Sequence, residues 1–349
     1  MFSIRKVRSH VQQLGEEYIP ESLQSRFRVG VESLGLSGFS SLNGNGRLLA
    51  TNRHTGESRI RRAVGDVRFP KLILKAIVKR YLREVSVATG GSLRFSLDHS
   101  KFGKFYVAVL AVSIGKGRAL PVWCVITRFK SGQLLKPLIR GLRLVLDELS
   151  YAQRKQVTIT MDRWFGIPDL LTWLDDEHIR FVVRMKAGIK VGVPWEPLHK
   201  TIPIGEISEE DVMVAYAGRD WRLVRSDWKE EMKEDEPWFL LTNIPKDKHF
   251  GSRRHILNLY AKRFEIEEFF KDIKWIQAYK WQRVKKKETM ANVLLFAFLG
   301  WWILRSTAKT IIRQNRQRTV HPKKRLSWFR EVWEYWQRLR LRPLFARSQ

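Results

Sequence analysis

Three acidic residues of this chain could act together on a phosphodiester bond. Asp98 and Asp162 each end an apolar run that is typical of a buried strand, and Glu267 lies in a long helical pattern. For either aspartate alone, capping the next turn is the simpler interpretation. Three converging carboxylates, however, form the hard oxygen site that Mg²⁺ prefers. Two ions held there would activate a water or hydroxyl and stabilise the leaving oxygen.

The stretch LYAKRFEIEEFFKDIKW, residues 259–275, places polar residues of four chemistries on one side of a predicted helix. Counted from Tyr260, the residues Arg263, Glu267 and Lys274 lie 3, 7 and 14 positions further on. At about 100° per residue, all four fall within an arc of roughly 60°. Taken alone, such a set is most simply a solvated helix face. The rest of the chain favours a functional face.

The composition indicates a folded protein with a polyanionic partner. The chain has 349 residues, enough for two or three domains, and 44% of them are hydrophobic. It carries 65 Lys and Arg against 35 Asp and Glu, a net charge of +30. Such an excess predicts nucleic acid as the first candidate partner and an anionic membrane surface as the second. Cleavage of nucleic acid is the chemistry that best combines this charge with three acids.

A membrane protein or a disulfide-stabilised secreted protein is not expected. The longest apolar run, residues 291–304, has 14 residues, whereas a membrane span needs about 18 to 20. This run therefore predicts a buried core helix. The N-terminal stretch MFSIRKVRSH lacks the apolar segment of a secretion signal. Cys124 is the single cysteine, so we expect a reduced, cytoplasmic protein.

Residues 1–88 are predicted to be helical, with a linker-like turn at 40–46. A basic helix, a break near Gly65 and Asp66, and a second helix from Pro70 fit a helix-turn-helix type of DNA-binding module. A small bundle with solvated basic faces fits the same pattern, and the sequence leaves both open. The candidate DNA-binding residues of this region are Arg59, Arg61, Arg62, Lys71 and Lys75.

From residue 90 the pattern changes to a mixed α/β sheet. A strand ending at Asp98 is followed by two β-rich runs around a Gly-Lys-Gly turn, a helix, a strand ending at Asp162, another helix and another strand. Residues 188–249 read as a β-rich insertion. Its 9 basic and 13 acidic residues suggest a separate unit that faces away from the polyanion. Helix returns from Arg253, and the basic tail 311–349, with Trp328, Trp333 and Trp336, could bind DNA or pair two subunits.

These residues resemble a known family. Asp98, Asp162 and Glu267 are similar to the DDE triad of bacterial insertion-sequence transposases. Tyr260, Arg263, Glu267 and Lys274 match the Tyr-x2-Arg-x3-Glu-x6-Lys motif of the insertion-sequence-four group. The block TMDRWFGIPDLLTWLDDEHIRFVVRMKAG resembles that group's second-aspartate block, where Asp-Arg-Gly-Phe is usual and Trp164 here replaces the glycine. The resemblance covers residues 90–304.

The resemblance implies an RNase H-like catalytic core at 89–187 and 250–310. The insertion at 188–249 interrupts this core, and a helical DNA-binding region precedes it at 1–88. It implies two Mg²⁺ ions, with Mn²⁺ as a substitute, on Asp98, Asp162 and Glu267. The partner would be double-stranded DNA, both transposon ends and target, bound by a homodimer in a bacterial cytoplasm near the nucleoid. Tyr260, Arg263 and Lys274 would then contact phosphates.

Two aromatic residues match positions that receive a flipped base in members of this group that form a hairpin. These are Trp238 and Phe264, and their alternative is a role as core aromatics. The leading function is cleavage of element ends and their transfer to target DNA. An RNase H-like endonuclease or resolvase without strand transfer, and an inactive DNA-binding relic, are the alternatives.

Overall fold

The protein is described here from a computed structural model. The described residues are 4–36, 53–114, 118–128, 134–196, 200–226, 237–277 and 284–316. The predicted linker at 40–46 lies outside them, as do Trp328, Trp333 and Trp336 of the basic tail.

The described strands form one mixed sheet. They are β1 (Leu93–Phe102), β2 (Phe105–Ser113), β3 (Ala119–Thr127), β4 (Val157–Met161), β5 (Arg180–Met185), β6 (Lys190–Gly192), β7 (Thr201–Pro203), β8 (Asp211–Tyr216), β9 (Arg219–Arg225) and β10 (Phe239–Thr242). Their order is β3-β2-β1-β4-β5-β10-β9-β8-β6-β7. β4 is parallel to β1 and β5, while β1, β2 and β3 pair antiparallel. The mixed α/β class is thus confirmed, and the first five strands are consistent with an RNase H-like core.

β1 does not end at Asp98, so that predicted boundary was wrong. The strand continues to Phe102, which pairs with Phe105 across the hairpin. Gly103 (φ +58°) makes the turn, a backbone conformation that glycine adopts without steric cost. The polar residues after Asp98 stay in the strand because β2 pairs with each of them. Asp98 therefore lies in the middle of β1, and the hairpin extends well beyond it.

The helices surround this sheet. They are α1 (Ile4–Tyr18), α2 (Glu21–Gly30), α3 (Arg53–Gly65), α4 (Phe69–Ala76), α5 (Arg83–Ala88), α6 (Leu135–Glu148), α7 (Tyr151–Arg154), α8 (Pro168–Asp176), α9 (Arg253–Ala261), α10 (Glu265–Gln277) and α11 (Lys287–Arg316). α9 and α10 are joined by a single 3₁₀ turn, Lys262–Phe264. The helix expected over 259–275 is thus present but interrupted at Arg263, which changes the arc that its polar residues occupy.

The N-terminal helices pack as a bundle on α11. The predicted break between α3 and α4 is confirmed, and Asp66 lies in it. The buried Asn292 of α11 donates from Nδ2 to the carbonyl oxygens of Val64 (2.8 Å) and Asp66 (3.0 Å). These hydrogen bonds fasten the break to the core. The packing fits the small-bundle alternative, and the DNA-binding role of this region stays a prediction.

α11 is the central helix of the core, as the apolar run predicted. Trp302 stacks on Tyr81 of the N-terminal bundle (ring centroids 5.3 Å apart) and donates from Nε1 to the Pro121 carbonyl of β3 (2.8 Å). Gly300 packs directly against Gly35, with no room for a Cβ atom on either. Residues 287–306 are long and apolar enough to cross a membrane, but 78% of their apolar 18-residue segment is buried inside the protein. Such burial is typical of a core helix.

The strands of the predicted insertion extend the main sheet and do not form a sheet of their own. β10 pairs with β5 on one side and β9 on the other. On β9, the buried Arg222 donates to both carboxylate oxygens of Asp211 (2.7 and 2.9 Å) and to the carbonyl of Gly251, just before α9. The β-rich character of 188–249 is confirmed, but its described strands belong to the main sheet and do not form a separate unit. The exact division into domains stays a prediction.

Candidate active site

Asp98 and Asp162 are brought together by two neighbouring parallel strands. Leu97 of β1 is in register with Met161 of β4, and Asp162 continues in an extended conformation. The next residues on the two strands, the aspartates, therefore lie side by side on one face, since parallel strands run about 4.8 Å apart. The charge of Asp162 affects the pKa of Asp98, which agrees with this placement.

Arg263 joins the third acid to this pair. Its Nη1 donates to Asp98 Oδ2 (2.8 Å) and its Nη2 to Glu267 Oε1 (3.1 Å). The Arg263 side chain is 5% exposed, whereas that of Glu267 is 42% exposed. The 3₁₀ turn that breaks the helix lies at Arg263 and places this guanidinium over the sheet. One cation thus holds Asp98 and Glu267 close together, next to Asp162.

The electrostatics of Asp98 reflect crowded negative charge. The pKa of Asp98 is raised to about 6, mainly by burial, and the neighbouring carboxylates of Asp162 and Glu267 contribute to the rise. The Arg263 guanidinium and the His99 amide, which donates to Asp98 Oδ1 (2.7 Å), oppose this effect. A carboxylate in such a position gains from any added cation because the charged form is then favoured.

The donor chemistry of the three acids fits a divalent cation, but their present arrangement is not a coordination site. Among the described residues, no three His, Cys, Asp or Glu side chains are grouped so that they could hold a metal ion. The reason is visible: Arg263 lies between Asp98 and Glu267, where a cation would have to bind both. Metal binding by Asp98, Asp162 and Glu267 therefore requires this guanidinium to move.

The aromatic residues of the predicted DNA contact are mostly inside the protein. Tyr260 is fully buried, and its ring lies 5.0 Å from that of Trp238 in an edge-on contact. Trp238 is 6% exposed and lies 5.9 Å from Phe264. The half-buried Phe264 has the Arg263 guanidinium 4.6 Å from its ring. Burial favours the core-aromatic interpretation of Trp238 in this conformation; a base-receiving role stays a prediction.

Tyr260 therefore does not lie on an exposed polar face, contrary to the helical arc inferred from the spacing. It packs with Val182, Leu240, Ile256 and Leu259 in a small apolar cluster beneath α9. Burial raises its pKa above the usual tyrosine value. Tyr260 thus packs against Arg263, whose guanidinium lies 5.4 Å from the centroid of the Tyr260 ring.

The remaining predicted DNA contacts are exposed. Lys274 lies two helical turns beyond Glu267 on α10, with Nζ 5.9 Å from the Phe102 ring centroid. The basic residues of the N-terminal region are all exposed on α3 and α4: Arg59, Arg61, Arg62, Lys71 and Lys75. No described contact joins these five residues to the three acids.

Two aromatic residues close to the acids in the chain form a stack that was not predicted. They are His99, which follows Asp98 in β1, and Trp164, noted above as a departure from glycine in the turn after Asp162. Their rings stack at 4.6 Å with an interplanar angle of 28°, and Phe165 packs edge-on against Trp164. They cover the face of the sheet opposite Arg263, because His99 alternates with Asp98 along β1. In the sequence, the tryptophan in place of the usual glycine was the feature that could have indicated an additional aromatic contact here.

Comparison with known families agrees with this geometry. Residues 120–303, just over half of the chain, match the family described as the transposase DDE domain. The chain belongs to the DDE transposases. The matched segment includes Asp162 and Glu267, whereas Asp98 precedes it. No curated protein sequence matches the chain. Membership of this family implies DNA as the partner and a metal-dependent nuclease or transposase activity.

Proposed function

We propose that this DDE transposase belongs to the insertion-sequence-four group, cleaves the ends of its element and transfers them to target DNA. The observation that carries the proposal is the single site in which Arg263 joins Asp98 to Glu267 beside Asp162. In this arrangement Tyr260, Arg263 and Glu267 of the motif lie together with the first aspartate, which is distant in sequence.

Asp98, Asp162 and Glu267 would hold two divalent ions, Mg²⁺ or Mn²⁺. When bound, such ions lower the pKa of an attacking water or hydroxyl and stabilise the leaving oxygen. Asp98 supplies the buried end of the site, and the more exposed Glu267 supplies the end from which DNA enters. Because its raised pKa makes Asp98 hold a proton more tightly than a free carboxyl does, a cation would have to displace that proton at low pH, and metal binding should weaken as the pH falls.

Arg263 has two roles in this proposal. Before DNA binds, it neutralises Asp98 and Glu267. Ions held by the acids would supply that positive charge instead, and the guanidinium of Arg263 would then be free to bind a phosphate, the group that it matches with two parallel hydrogen bonds. Tyr260 packs against Arg263 and would keep this side chain in position in both states. The phosphate contact positions the DNA without reading its sequence.

Sequence recognition is assigned to the N-terminal region and pairing of the ends to a homodimer. The exposed Arg59, Arg61 and Arg62 of α3 and Lys71 and Lys75 of α4 would bind the terminal repeat. We place the protein in the cytoplasm, where its DNA partner lies. Deleting residues 1–88 would also remove helices that pack on α11, so point variants of these five residues are the cleaner test of end preference.

The direct test is cleavage and joining of duplex DNA that carries the inverted repeats flanking the coding sequence. Asp98→Asn, Asp162→Asn and Glu267→Gln should each abolish Mg²⁺-dependent nicking while DNA binding persists. The matched control is Asp169→Asn, because Asp169 is an exposed acid in the first turn of α8, the helix after Asp162. It should nick at the wild-type rate.

The same assay separates the alternatives. Nicked ends joined to a second DNA molecule identify a transposase, and nicking without joining identifies an endonuclease or resolvase. DNA binding without Mg²⁺-dependent or Mn²⁺-dependent nicking would show an inactive relic and contradict the proposal. Equal loss in all four variants would indicate damage to the fold and remove the catalytic assignment.

A further inference from the structure

The end of the β1–β2 hairpin lies on the same face as the acids. Side chains alternate along a strand, so Asp98 and Phe102, four residues apart in β1, point to the same side. α10 runs alongside in the same direction: the rings of Phe102 and Phe270 lie 6.2 Å apart, and Lys274 Nζ lies 5.9 Å from the Phe102 ring. Strand and helix therefore both lead from the carboxylates to the hairpin end.

A second lysine lies at this hairpin end. Lys104, in the turn, has its Nζ 5.5 Å from the ring of Phe105. Phe105 is the register partner of Phe102, and side chains of paired residues are neighbours on one face. The ammonium groups of Lys104 and Lys274 thus lie over two adjacent phenylalanine rings. The rings of Phe102 and Phe105 thus lie next to both lysine side chains and set the positions of the two ammonium groups.

The charges of these two lysines are not neutralised within the described part of the protein. Both side chains are exposed, and neither forms an ion pair with a described residue. Lys271, one turn earlier on α10, differs because its Nζ contacts Glu268 Oε1 at 2.6 Å. Lys104 and Lys274 therefore offer two positive charges to an external anion.

The spacing from the acids to the lysines corresponds to a short length of DNA. Four residues of strand separate Asp98 from Phe102, about 14 Å. Seven residues of helix separate Glu267 from Lys274, about 10 Å. Phosphates of one strand follow each other every 3.4 Å along the duplex axis, so a duplex lying along β1 and α10 would cover this distance with about three to four base pairs.

We propose that Lys104 and Lys274 form a phosphate-binding pair that holds the DNA backbone about three to four base pairs from the cleaved bond. The proposal rests on the proposed function, since it takes the three acids as the place of cleavage. It places the phosphate contact of Lys274 at a distance from the reacting phosphate. It also adds Lys104, a hairpin residue outside the motif. Two compact ammonium charges bind phosphate without reading sequence.

The test compares two lysines of the same hairpin. Lys104→Gln removes a charge on the face of the acids. Lys101→Gln is the matched control, because Lys101 is equally exposed but alternates to the opposite face, where its Nζ lies 6.0 Å from the Tyr106 ring. Binding of the full-length protein to duplex DNA is measured from 50 to 300 mM NaCl. The slope of log affinity against log salt should fall by about 0.9 for Lys104→Gln and stay unchanged for Lys101→Gln.

Lys104→Arg keeps the charge and should keep the wild-type slope, which distinguishes a lost phosphate contact from a disturbed turn. Equal slopes for Lys104→Gln and wild type, or equal losses at Lys101 and Lys104, would overturn the proposal. Nicking is measured separately on the same proteins. A slope difference in a protein that never nicks would sink the proposed function and leave only the phosphate contact of these lysines, without its distance from a cleaved bond. Normal nicking with equal slopes would overturn the phosphate pair and leave the proposed function standing.

Discussion

At the scale of single residues, Arg263 determines the state of the candidate site. It is a buried cation between two carboxylates, and removal of one partner from such a group leaves uncompensated charge in a poorly solvated place. Its exposed partner, Glu267, can turn to solvent, but Asp98 cannot, because its side chain is only 12% exposed. The stability of the metal-free protein should therefore depend on this arginine.

Arg263→Gln should lower the free energy of unfolding of the metal-free protein by about 2–4 kcal/mol. Added Mg²⁺ should recover part of the loss, because a divalent ion supplies the missing positive charge to Asp98 and Glu267. The melting temperature is measured for wild type and variant with EDTA and with Mg²⁺. The rise caused by Mg²⁺ should be larger in the variant.

Lys262→Gln is the control, since Lys262 is the exposed neighbour of Arg263 and forms no ion pair with a described residue. Its melting temperature should match wild type under both conditions. A variant at Arg263 that melts like wild type in EDTA would show that the guanidinium is not needed to balance the acids.

At the scale of elements, the break between α3 and α4 is stabilised by one acid. Asp66 accepts hydrogen bonds from the Arg68 side chain (2.7 and 2.8 Å), the Arg68 amide and Arg26 (3.2 Å). The hydrogen bonds from the Arg68 side chain are the main cause that lowers the pKa of Asp66 to about 2. The charged form is thus favoured in the folded state.

Asp66→Asn should destabilise the protein at pH 7 by about 1 kcal/mol, a value reduced for solvent screening because both arginines are partly exposed. A carboxyl with a lowered folded pKa stabilises the fold above its unfolded pKa near 3.8 and loses that effect as the pH falls towards 2. The gap between variant and wild type should therefore shrink steadily from pH 4 to pH 2.5. Urea unfolding at several pH values measures it.

The exposed Asp220 of β9 provides the comparison for this experiment. Asp220→Asn should leave the unfolding free energy within about 0.5 kcal/mol of wild type over the same pH range. A gap at Asp66 that does not change with pH would mean that packing, and not the ion pairs, determines the effect.

The contact between α11 and the residues that follow α2 leaves no space for a side chain at Gly300. Gly300→Ala would place a Cβ atom against the carbonyl of Gly35, and neither backbone can move away easily because both segments are buried. The free energy of unfolding, from urea titration, should fall by about 3 kcal/mol or more. Gly65→Ala meets no atom within 4 Å and should be close to neutral. A neutral Gly300→Ala would mean that the bundle packs on α11 more loosely than described.

Much of the fold was predictable because local patterns determine it. The runs that became β2, β3, β4 and β5 are rich in branched apolar residues, and the break at Asp66 follows from Gly65. The strand end at Asp98 was missed because paired polar residues continue a strand as readily as apolar ones. Partner strands, which the local sequence does not reveal, decided that boundary.

The candidate site was predictable from residue types but not from helical geometry. The structure brings Asp98 and Glu267 together through Arg263, next to Asp162, and the catalytic roles of the three acids stay a prediction. The burial of Tyr260 and Trp238 could not be inferred, because it depends on the 3₁₀ turn at Lys262–Phe264 and on β10 lying beneath α9. The stacking of His99 on Trp164 likewise depends on the pairing of β1 with β4.

At the scale of the whole molecule, the continuous sheet couples residues 188–249 to the site. β10 contributes Trp238 and Leu240 to the cluster that covers Tyr260, and Arg222 of β9 contacts the segment before α9. The insertion thus helps to position the helix that carries Arg263. The described strands of this acidic stretch are an integral part of the core.

Replacing residues 188–249 by a short Gly-Ser linker should therefore unfold α9 and the turn after it, and should expose the edge of β5. Hydrogen exchange at residues 253–264 should rise to the rate of an unstructured peptide, and the protein should lose its cooperative thermal transition. A shortened protein that melts cooperatively near the wild-type temperature would show that the insertion is an independent domain.

The position of α11 in the chain has a consequence for how the protein is made. Trp302 and its neighbours complete a core whose other walls, β3 and the N-terminal bundle, leave the ribosome much earlier. Until residues 287–304 have been synthesised, the apolar surfaces that they cover stay open to water and to other nascent chains. All three acids are also translated before this helix. A message or chain cut short before Lys287 should give an insoluble product and no partially active nuclease, so the cell would be spared cleavage of its DNA by incomplete copies.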